Sequence, residues 1–285
     1  MGNIFDTLAE LGVASTATRT LFADRTRDVA PLPVYRDSAS GVIFIDEYYT
    51  GDDTYRQGVY REAKKPITGK PDFERYADCQ RRFADYRQFI LGREILDFGC
   101  GEGLFLRQSL PLARSVSGVE LEVPLVTKLN EDGIPCTTQL PQGSTFDTCF
   151  LFHVAEHLPD PIATLSEVRN TLRPGGVAVI EVPHAGDLLL QDERFRAFTL
   201  WSQHLVLHTR ESLRRLLRAS GFSAVTIQGK QRYPLSNHLN WLMHGEPGGH
   251  KKTMSAIDSP ALRAAYEAAL QQTDQTDTLV AIAAV

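Results

Sequence analysis

The run Ile95-Leu96-Asp97-Phe98-Gly99-Cys100-Gly101-Glu102-Gly103-Leu104-Phe105-Leu106 constrains this chain more than any other stretch. An apolar strand ends in an acidic residue, three alternating glycines follow, and an apolar helix begins at once. Glycine is needed where backbone turns sharply with φ > 0, or where it must approach a ligand more closely than a Cβ allows. A glycine turn between strand and helix is where α/β folds bind nucleoside-type ligands.

The glycine spacing selects among such ligands. A dinucleotide turn reads G-x-G-x-x-G and aims a helix N-terminus at a pyrophosphate. Here Gly101 is followed two residues on by Gly103 and three residues on by Leu104, so that spacing fails. Asp97 and Glu102 also put two carboxylates around the turn, which would repel a pyrophosphate. A cationic ligand suits them better. S-adenosylmethionine (SAM) carries a sulfonium and an ammonium, and its ribose diol calls for a further carboxylate acceptor. Ser115-Val116-Ser117-Gly118-Val119-Glu120 supplies one, an apolar strand ending in Glu120, where a βαβ unit hydrogen-bonds ribose.

With Asp97, the three glycines and Glu120 in place, the chain resembles the class I SAM-dependent methyltransferases. Their first motif is similar to D-x-G-x-G-x-G, and their second strand ends in Asp or Glu. The segment Phe146-Asp147-Thr148-Cys149-Phe150-Leu151-Phe152-His153-Val154-Ala155-Glu156-His157-Leu158 resembles the family's fourth strand and following loop. Leu172-Arg173-Pro174-Gly175-Gly176 and then Val177 to Val182 resemble its helix end and fifth strand. The H-V-x-E-H-L pattern is similar to the small-molecule subset around ubiquinone-pathway O-methyltransferases.

The resemblance implies an α/β fold: a doubly wound, mostly parallel seven-stranded sheet with an antiparallel last strand, an N-terminal lid and an insertion before that strand. It divides the chain into a lid or appendage over 1–85, a SAM-binding core over 86–230, an insertion over 231–272 covering the acceptor site, and a final core strand over 273–285. It implies SAM binding by Asp97, Gly99, Cys100, Gly101, Gly103, Glu120, Leu121, Leu140, Phe152 and His153.

Local signals mark the same elements. Asp160-Pro161 is an N-cap followed by proline at the first helical position, with Ile162, Leu165 and Val168 on one face and Pro174-Gly175-Gly176 expected to stop the helix. Thr209 caps the next helix, Glu211 lies in its first turn, Leu213, Leu216 and Leu217 form its apolar face, and Gly221 ends it. Strands alternating with helices predict a parallel sheet covered on both faces. Thr278 to Val285 reads as a buried strand. Between it and the strand Ala224-Val225-Thr226-Ile227 lie about fifty residues, where a short connection is the rule. That segment reads as an insertion with one or two helices, one over Pro260 to Gln272.

Composition narrows the function classes. The chain has 285 residues, 42% of them hydrophobic, and a net charge of -5. Nucleic-acid binding usually needs a basic stripe; Arg61 to Lys65 and Arg214 to Arg218 are short, mixed clusters that read as solvated helix faces. Cys79, Cys100, Cys136 and Cys149 show no C-x-x-C spacing, which points to a reducing compartment and no structural zinc. With no secretory h-region and no long apolar run, the expectation is a cytoplasmic protein with no nucleic-acid or membrane partner. Oligomeric state is left open.

Methyl transfer from a sulfonium requires alignment, exclusion of water and removal of a proton if the acceptor is a hydroxyl. Histidine is the obvious base near neutral pH. His153 ends the fourth strand, His184 follows the fifth and His204 precedes the Thr209 helix; these three are the catalytic candidates, whereas His157 reads as packing or capping. Acceptor-site candidates are Tyr49 and Tyr60 from the tyrosine-rich N-terminal stretch, and Tyr233, His238 and His250 from the insertion. Ubiquinone-type relatives can hold a divalent ion at positions matching His153, Glu156 and His157. The first position departs here, and no metal is expected.

The resulting expectation is a SAM-dependent methyltransferase acting on a small molecule, on a hydroxyl oxygen of a glycosyl or natural-product intermediate. Nitrogen, carbon or carboxyl acceptors, or a SAM-binding regulatory subunit without activity, are the alternatives. A nicotinamide-dependent oxidoreductase is disfavoured by the glycine spacing.

Overall fold

The computed structural model describes residues 3–46, 48, 49, 51, 56, 73–143 and 145–285. The N-terminal portion opens with helix α1 (Ile4–Glu10), capped by the Asn3 side chain. Strands β1 (Arg19–Ala23), β2 (Val34–Asp37) and β3 (Ile43–Ile45) follow as an antiparallel sheet. Helix α2 (Phe73–Asp85) then leads into the large sheet.

The core proceeds through β4 (Glu94–Phe98), α3 (Leu104–Ser109), β5 (Ser115–Val119), α4 (Val123–Glu131), β6 (Cys136–Thr137), β7 (Phe146–Phe152), α5 (Pro161–Thr171) and β8 (Leu172–Pro183). It continues with α6 (Glu193–Thr199), β9 (Val206–Leu207), α7 (Arg210–Ala219), β10 (Ala224–Lys230), α8 (Leu235–His244), α9 (Pro260–Gln272) and β11 (Thr278–Ala284). The sheet order is β10-β11-β8-β7-β4-β5-β6, with β11 antiparallel to both neighbours and the pairs from β8 to β6 parallel. This is the expected doubly wound, seven-stranded sheet with its antiparallel last strand.

Period-two alternation explains why both faces are covered. Leu96 and Leu279 face one layer, where Leu165 and Val168 of α5 and Leu213, Leu216 and Leu217 of α7 are buried. Ile95 and Val280 face the other, against Tyr86, Phe105 and Leu106 of the α2–α3 region and Leu129 of α4. The caps at Asp160 and Thr209 form as the sequence indicates, the latter with reciprocal bonds between Thr209 and Ser212.

One boundary differs. Helix α5 ends at Thr171, and β8 begins at Leu172, before Pro174-Gly175-Gly176. Leu172 is buried and pairs with Phe146, whereas Val177 pairs with Thr148, so Pro174 to Gly176 form a bulge inside the strand instead of a helix stop. The small sheet also reaches beyond the N-terminal portion: β9, between α6 and α7, pairs with β3 and completes the order β1-β2-β3-β9. Two apolar clusters, one around Val42, Phe44 and Val206 and one around Val34, Ile43 and Leu207, seal this sheet to the core's loops. Among the described residues no helix is long and apolar enough to cross a membrane.

Candidate active site

The carboxyl ends of β4, β5, β7 and β8 open into one cavity of about 1970 Å³, walled by α2 on one side and by the segment after β10 on the other. The glycine loop forms its floor. Gly99, Gly101 and Gly103 all have positive φ, of 79°, 57° and 70°. A Cβ on Gly99 would fall 2.5 Å from Val154 Cγ2, and one on Gly103 would fall 2.5 Å from Leu129 Cδ2. The loop thus needs glycine both for its backbone conformation and for its packing on the strand β7 exit and on α4.

Glu120 fastens this loop. Its Oε2 accepts the Gly101 N–H at 2.8 Å and its Oε1 accepts the Glu122 N–H at 3.1 Å. Asp97 is 3% exposed, and burial, reinforced by the nearby Glu120 carboxylate, pushes its carboxyl up to about 7 against the pull of Arg82. A buried acid with so high a pKa gains by receiving a cation. Of the residues expected at the cofactor, Asp97, Gly99, Cys100, Gly101, Glu120, Leu121, Leu140, Phe152 and His153 line the cavity. Gly103 does not; it caps the start of α3.

Helix α2 is clamped over this end by Glu181, near the end of β8. Arg81 donates twice to Glu181 at 2.9 Å, Arg82 Nε donates at 2.8 Å and the Tyr86 hydroxyl at 2.6 Å. Burial works against ionisation of Glu181, but the Arg82 and Arg81 guanidiniums outweigh it and hold the carboxyl well below the usual range. Arg82 also lies 4.4 Å from the Phe152 ring centre, so the clamp reaches the cavity wall.

The histidines fall into distinct roles. His153 has a positive φ of 56° for a non-glycine residue. Its Nε2 accepts from Arg232 Nη1 at 3.3 Å, which leaves the proton on Nδ1, 3.2 Å from Glu156 Oε1. Burial, with Arg232 and Arg82 close by, pushes its pKa well down, so His153 is a neutral bridge with both nitrogens engaged. Arg232 is itself paired with Asp78 of α2. His184 donates from Nδ1 to the Thr276 carbonyl at 2.9 Å, and its Nε2 lies 3.8 Å from Asp274. His204 packs edge-on against His157 and Trp201, with ring centres 4.9 and 5.3 Å away.

His157, which the sequence suggests is a packing residue, lines the same cavity. Its Nδ1 lies 2.7 Å from the Gln203 carbonyl, which can only accept, so the neutral ring carries its lone pair on Nε2. Donor atoms of Glu156, His157 and His204 lie within 4.8 Å of one another. This set could hold a transition ion; it takes His204 where the relatives' pattern would place the residue matching His153.

Around this cluster the cavity is walled by Phe195, Phe198, Trp201 and Trp241, and by the polar groups of Asp187, Asn237 and Asp277. Burial and the neighbouring Asp277 push the Asp187 carboxyl up to about 8, and burial also raises Asp277. Tyr49, Tyr233, His238 and His250 line the cavity, and Tyr60 lies outside the described residues. His238 Nδ1 lies 2.7 Å from the Tyr266 hydroxyl, and burial pushes its pKa down to about 4. His250 lies 3.3 Å from Glu74, whose pKa is lowered to about 2 chiefly by that contact. Sequence reasoning missed Glu156 and His157 as a pair with His204, and missed Arg232, Asp187 and Asp277, because each gains its setting from a distant segment.

A family model described as a methyltransferase domain matches residues 72–227, more than half of the chain. A tRNA U34 carboxymethyltransferase from Pseudoalteromonas atlantica is 26% identical over 207 residues, covering 63% of this chain and 62% of that protein. A ubiquinone biosynthesis O-methyltransferase from Xanthomonas oryzae pv. oryzae is 27% identical over 106 residues, covering 33% of this chain and 44% of that protein. The chain thus spans less than two thirds of either relative's length. Among solved structures, the Burkholderia thailandensis 1,6-didemethyltoxoflavin-N1-methyltransferase with bound S-adenosylhomocysteine has a TM-score of 0.51 at 16% identity, covering 90% of this chain and 96% of that one. That likeness is one of fold.

Proposed function

The chain belongs to the SAM-dependent methyltransferase family, and on that premise we propose that it transfers the methyl of SAM to a hydroxyl oxygen of a small-molecule acceptor, a glycosyl or natural-product intermediate. The observation that carries this reading is the junction of two unlike environments in one cavity: the buried Asp97 and Glu120 carboxylates at the glycine loop, and the aromatic-walled cluster of His157 and His204. Indole faces beside carboxyl and amide groups form a surface suited to a hydroxylated ring, which offers C–H faces and hydrogen-bond donors together.

SAM supplies an already activated methyl group. Asp97 receives its cationic end, Glu120 its ribose, and the Gly99–Gly103 turn lets the backbone approach. The Glu181 clamp holds α2 over the site and restricts water. His157 Nε2 takes the acceptor's hydroxyl proton, and the Gln203 carbonyl keeps the ring in the tautomer that can do so. His153 and Arg232 fix the wall between the two ends. We place the reaction in the cytoplasm, with no nucleic-acid or membrane partner; four free thiols and the absence of a basic stripe support this.

A nitrogen acceptor is the second reading, favoured by Asp187 and Asp277, whose carboxyl pair would also suit an amine. Incubation with SAM and matched hydroxyl, amino and deoxy forms of a glycoside panel separates them. Gain of one methylene unit by the hydroxyl forms alone supports the oxygen reading; gain only by the amino forms replaces it.

A further inference from the structure

Cys100 and Cys136 meet beside the cofactor loop, and neither thiol has a part in the proposed transfer. Their Sγ atoms are 3.8 Å apart, and both are free thiols. Cys100 stands between Gly99 and Gly101 and lines the cavity. Cys136 opens β6, the two-residue strand that pairs with β5 and, among the described residues, ends the sheet. The residue beneath both is Gly118 of β5, where a Cβ would fall 2.6 Å from Cys100 Sγ and 3.2 Å from Cys136 Sγ. Absence of a side chain at that one position lets the two sulfurs meet. The remaining cysteines have other surroundings: Cys79 faces Gln108, and Cys149 is enclosed in the sheet core.

We propose that Cys100 and Cys136 form a redox modification site, a reversible disulfide made by a small disulfide oxidant and closing the cofactor end of the cavity. The effect on binding rests on the reading of the glycine loop as the SAM site. The Cys136 thiol, held below its ordinary pKa by the Cys100 S–H beside it, ionises first and takes the Cys100 proton as Cys100 Sγ, reached through the cavity, attacks one sulfur of the oxidant; the oxidant's S–S bond breaks and one reduced thiol leaves. The Cys136 thiolate then attacks Cys100 Sγ and expels the second. Two cysteine thiols are oxidised by two electrons, one disulfide is reduced to two thiols, and the cysteine protons end on them.

A disulfide requires a sulfur separation of about 2.05 Å, so the two sulfurs must close much of their gap. The strain falls on the glycine loop and the short edge strand, because β5 between them is held on both sides. The loop's anchors are the Gly101 N–H to Glu120 at 2.8 Å and the Gly99 and Cys100 N–H groups to the Val119 carbonyl at 2.8 and 3.1 Å. Drawing Cys100 toward β6 displaces Gly101 from Glu120 and removes the geometry that receives the cofactor. A bound cofactor in turn covers Cys100 and bars the oxidant, so binding and oxidation exclude each other.

The test is treatment of the purified full chain with oxidised glutathione, followed by peptide mass mapping and titration with S-adenosylhomocysteine. The expected result is a peptide carrying Cys100 joined to one carrying Cys136, and an affinity weakened by about tenfold or more that dithiothreitol restores. Excess S-adenosylhomocysteine slows the cross-link. Cys136→Ser binds like the native chain when reduced, and on oxidation it carries glutathione on Cys100 instead of the cross-link. Absence of the Cys100–Cys136 cross-link, or a cross-linked protein that binds with unchanged affinity, overturns the proposal. If the reduced native protein does not bind at all, the cofactor reading fails, while the peptide map still decides the disulfide.

Discussion

Gly101 donates its backbone N–H to Glu120 Oε2 at 2.8 Å, so the glycine loop and the residue that follows β5 are one hydrogen-bonded unit. The carboxylate that would hold ribose also sets the loop's shape. Glu120→Ala therefore removes a ligand contact and a loop anchor together. We expect S-adenosylhomocysteine affinity to fall by about 1 to 3 kcal/mol in calorimetry, with the thermal transition lowered as well. An unchanged dissociation constant would move the ribose contact elsewhere.

Asp97 supplies a prediction with opposite signs for binding and stability. Its pKa rises from 3.8 to about 7 in the fold. The folded chain therefore holds this proton more tightly than the unfolded one. The stabilisation from the bound proton is complete below pH 4 and is lost as pH rises through 7. Asp97→Asn should raise the melting temperature of the ligand-free protein, with a gain that grows from pH 4 to 7 and then levels, while weakening S-adenosylhomocysteine. A gain independent of pH would contradict the burial argument.

Glu181 tests the clamp. Glu181→Gln leaves the Arg81 and Arg82 guanidiniums without their buried counter-charge and should cost about 3–5 kcal/mol in denaturant unfolding. The native carboxylate is held well below its usual pKa, so its stabilisation is present above the ordinary carboxylate range and lost as pH falls below it. The Gln variant should show a weaker loss of stability on acidification. Equal acid sensitivity in the two proteins would remove Glu181 from this role.

His157→Ala should lower kcat by about 10² to 10⁴ with S-adenosylhomocysteine affinity preserved, and chelator treatment should leave native activity intact. Activity lost to chelation and restored by a divalent ion would instead assign Glu156, His157 and His204 to a metal, the other chemistry their spacing permits.

How much of this was legible beforehand depends on the range of each interaction. Asp97, the glycines and Glu120 form a short, ordered pattern dictated by backbone conformation, and the helix caps at Asp160 and Thr209 are settled within four residues. Pro174-Gly175-Gly176 is a strong local stop, yet burial of Leu172 against Phe146 ends α5 and starts the strand earlier. The β3–β9 pairing joins segments on opposite sides of the core and leaves no local mark. The same holds at the acceptor end. The sequence marks His157 only as a packing or capping residue, and its setting comes from the Gln203 carbonyl and the His204 ring, while Arg232 acquires its place only through Asp78 and His153.

The most direct measurement is isothermal titration of the reduced, purified protein with S-adenosylhomocysteine, run beside NADH and repeated in buffers of differing ionisation enthalpy. The account predicts binding of S-adenosylhomocysteine alone, with proton release near pH 7 as its cationic end lowers the Asp97 pKa. Binding of NADH, or no binding of S-adenosylhomocysteine by the reduced protein, would contradict it.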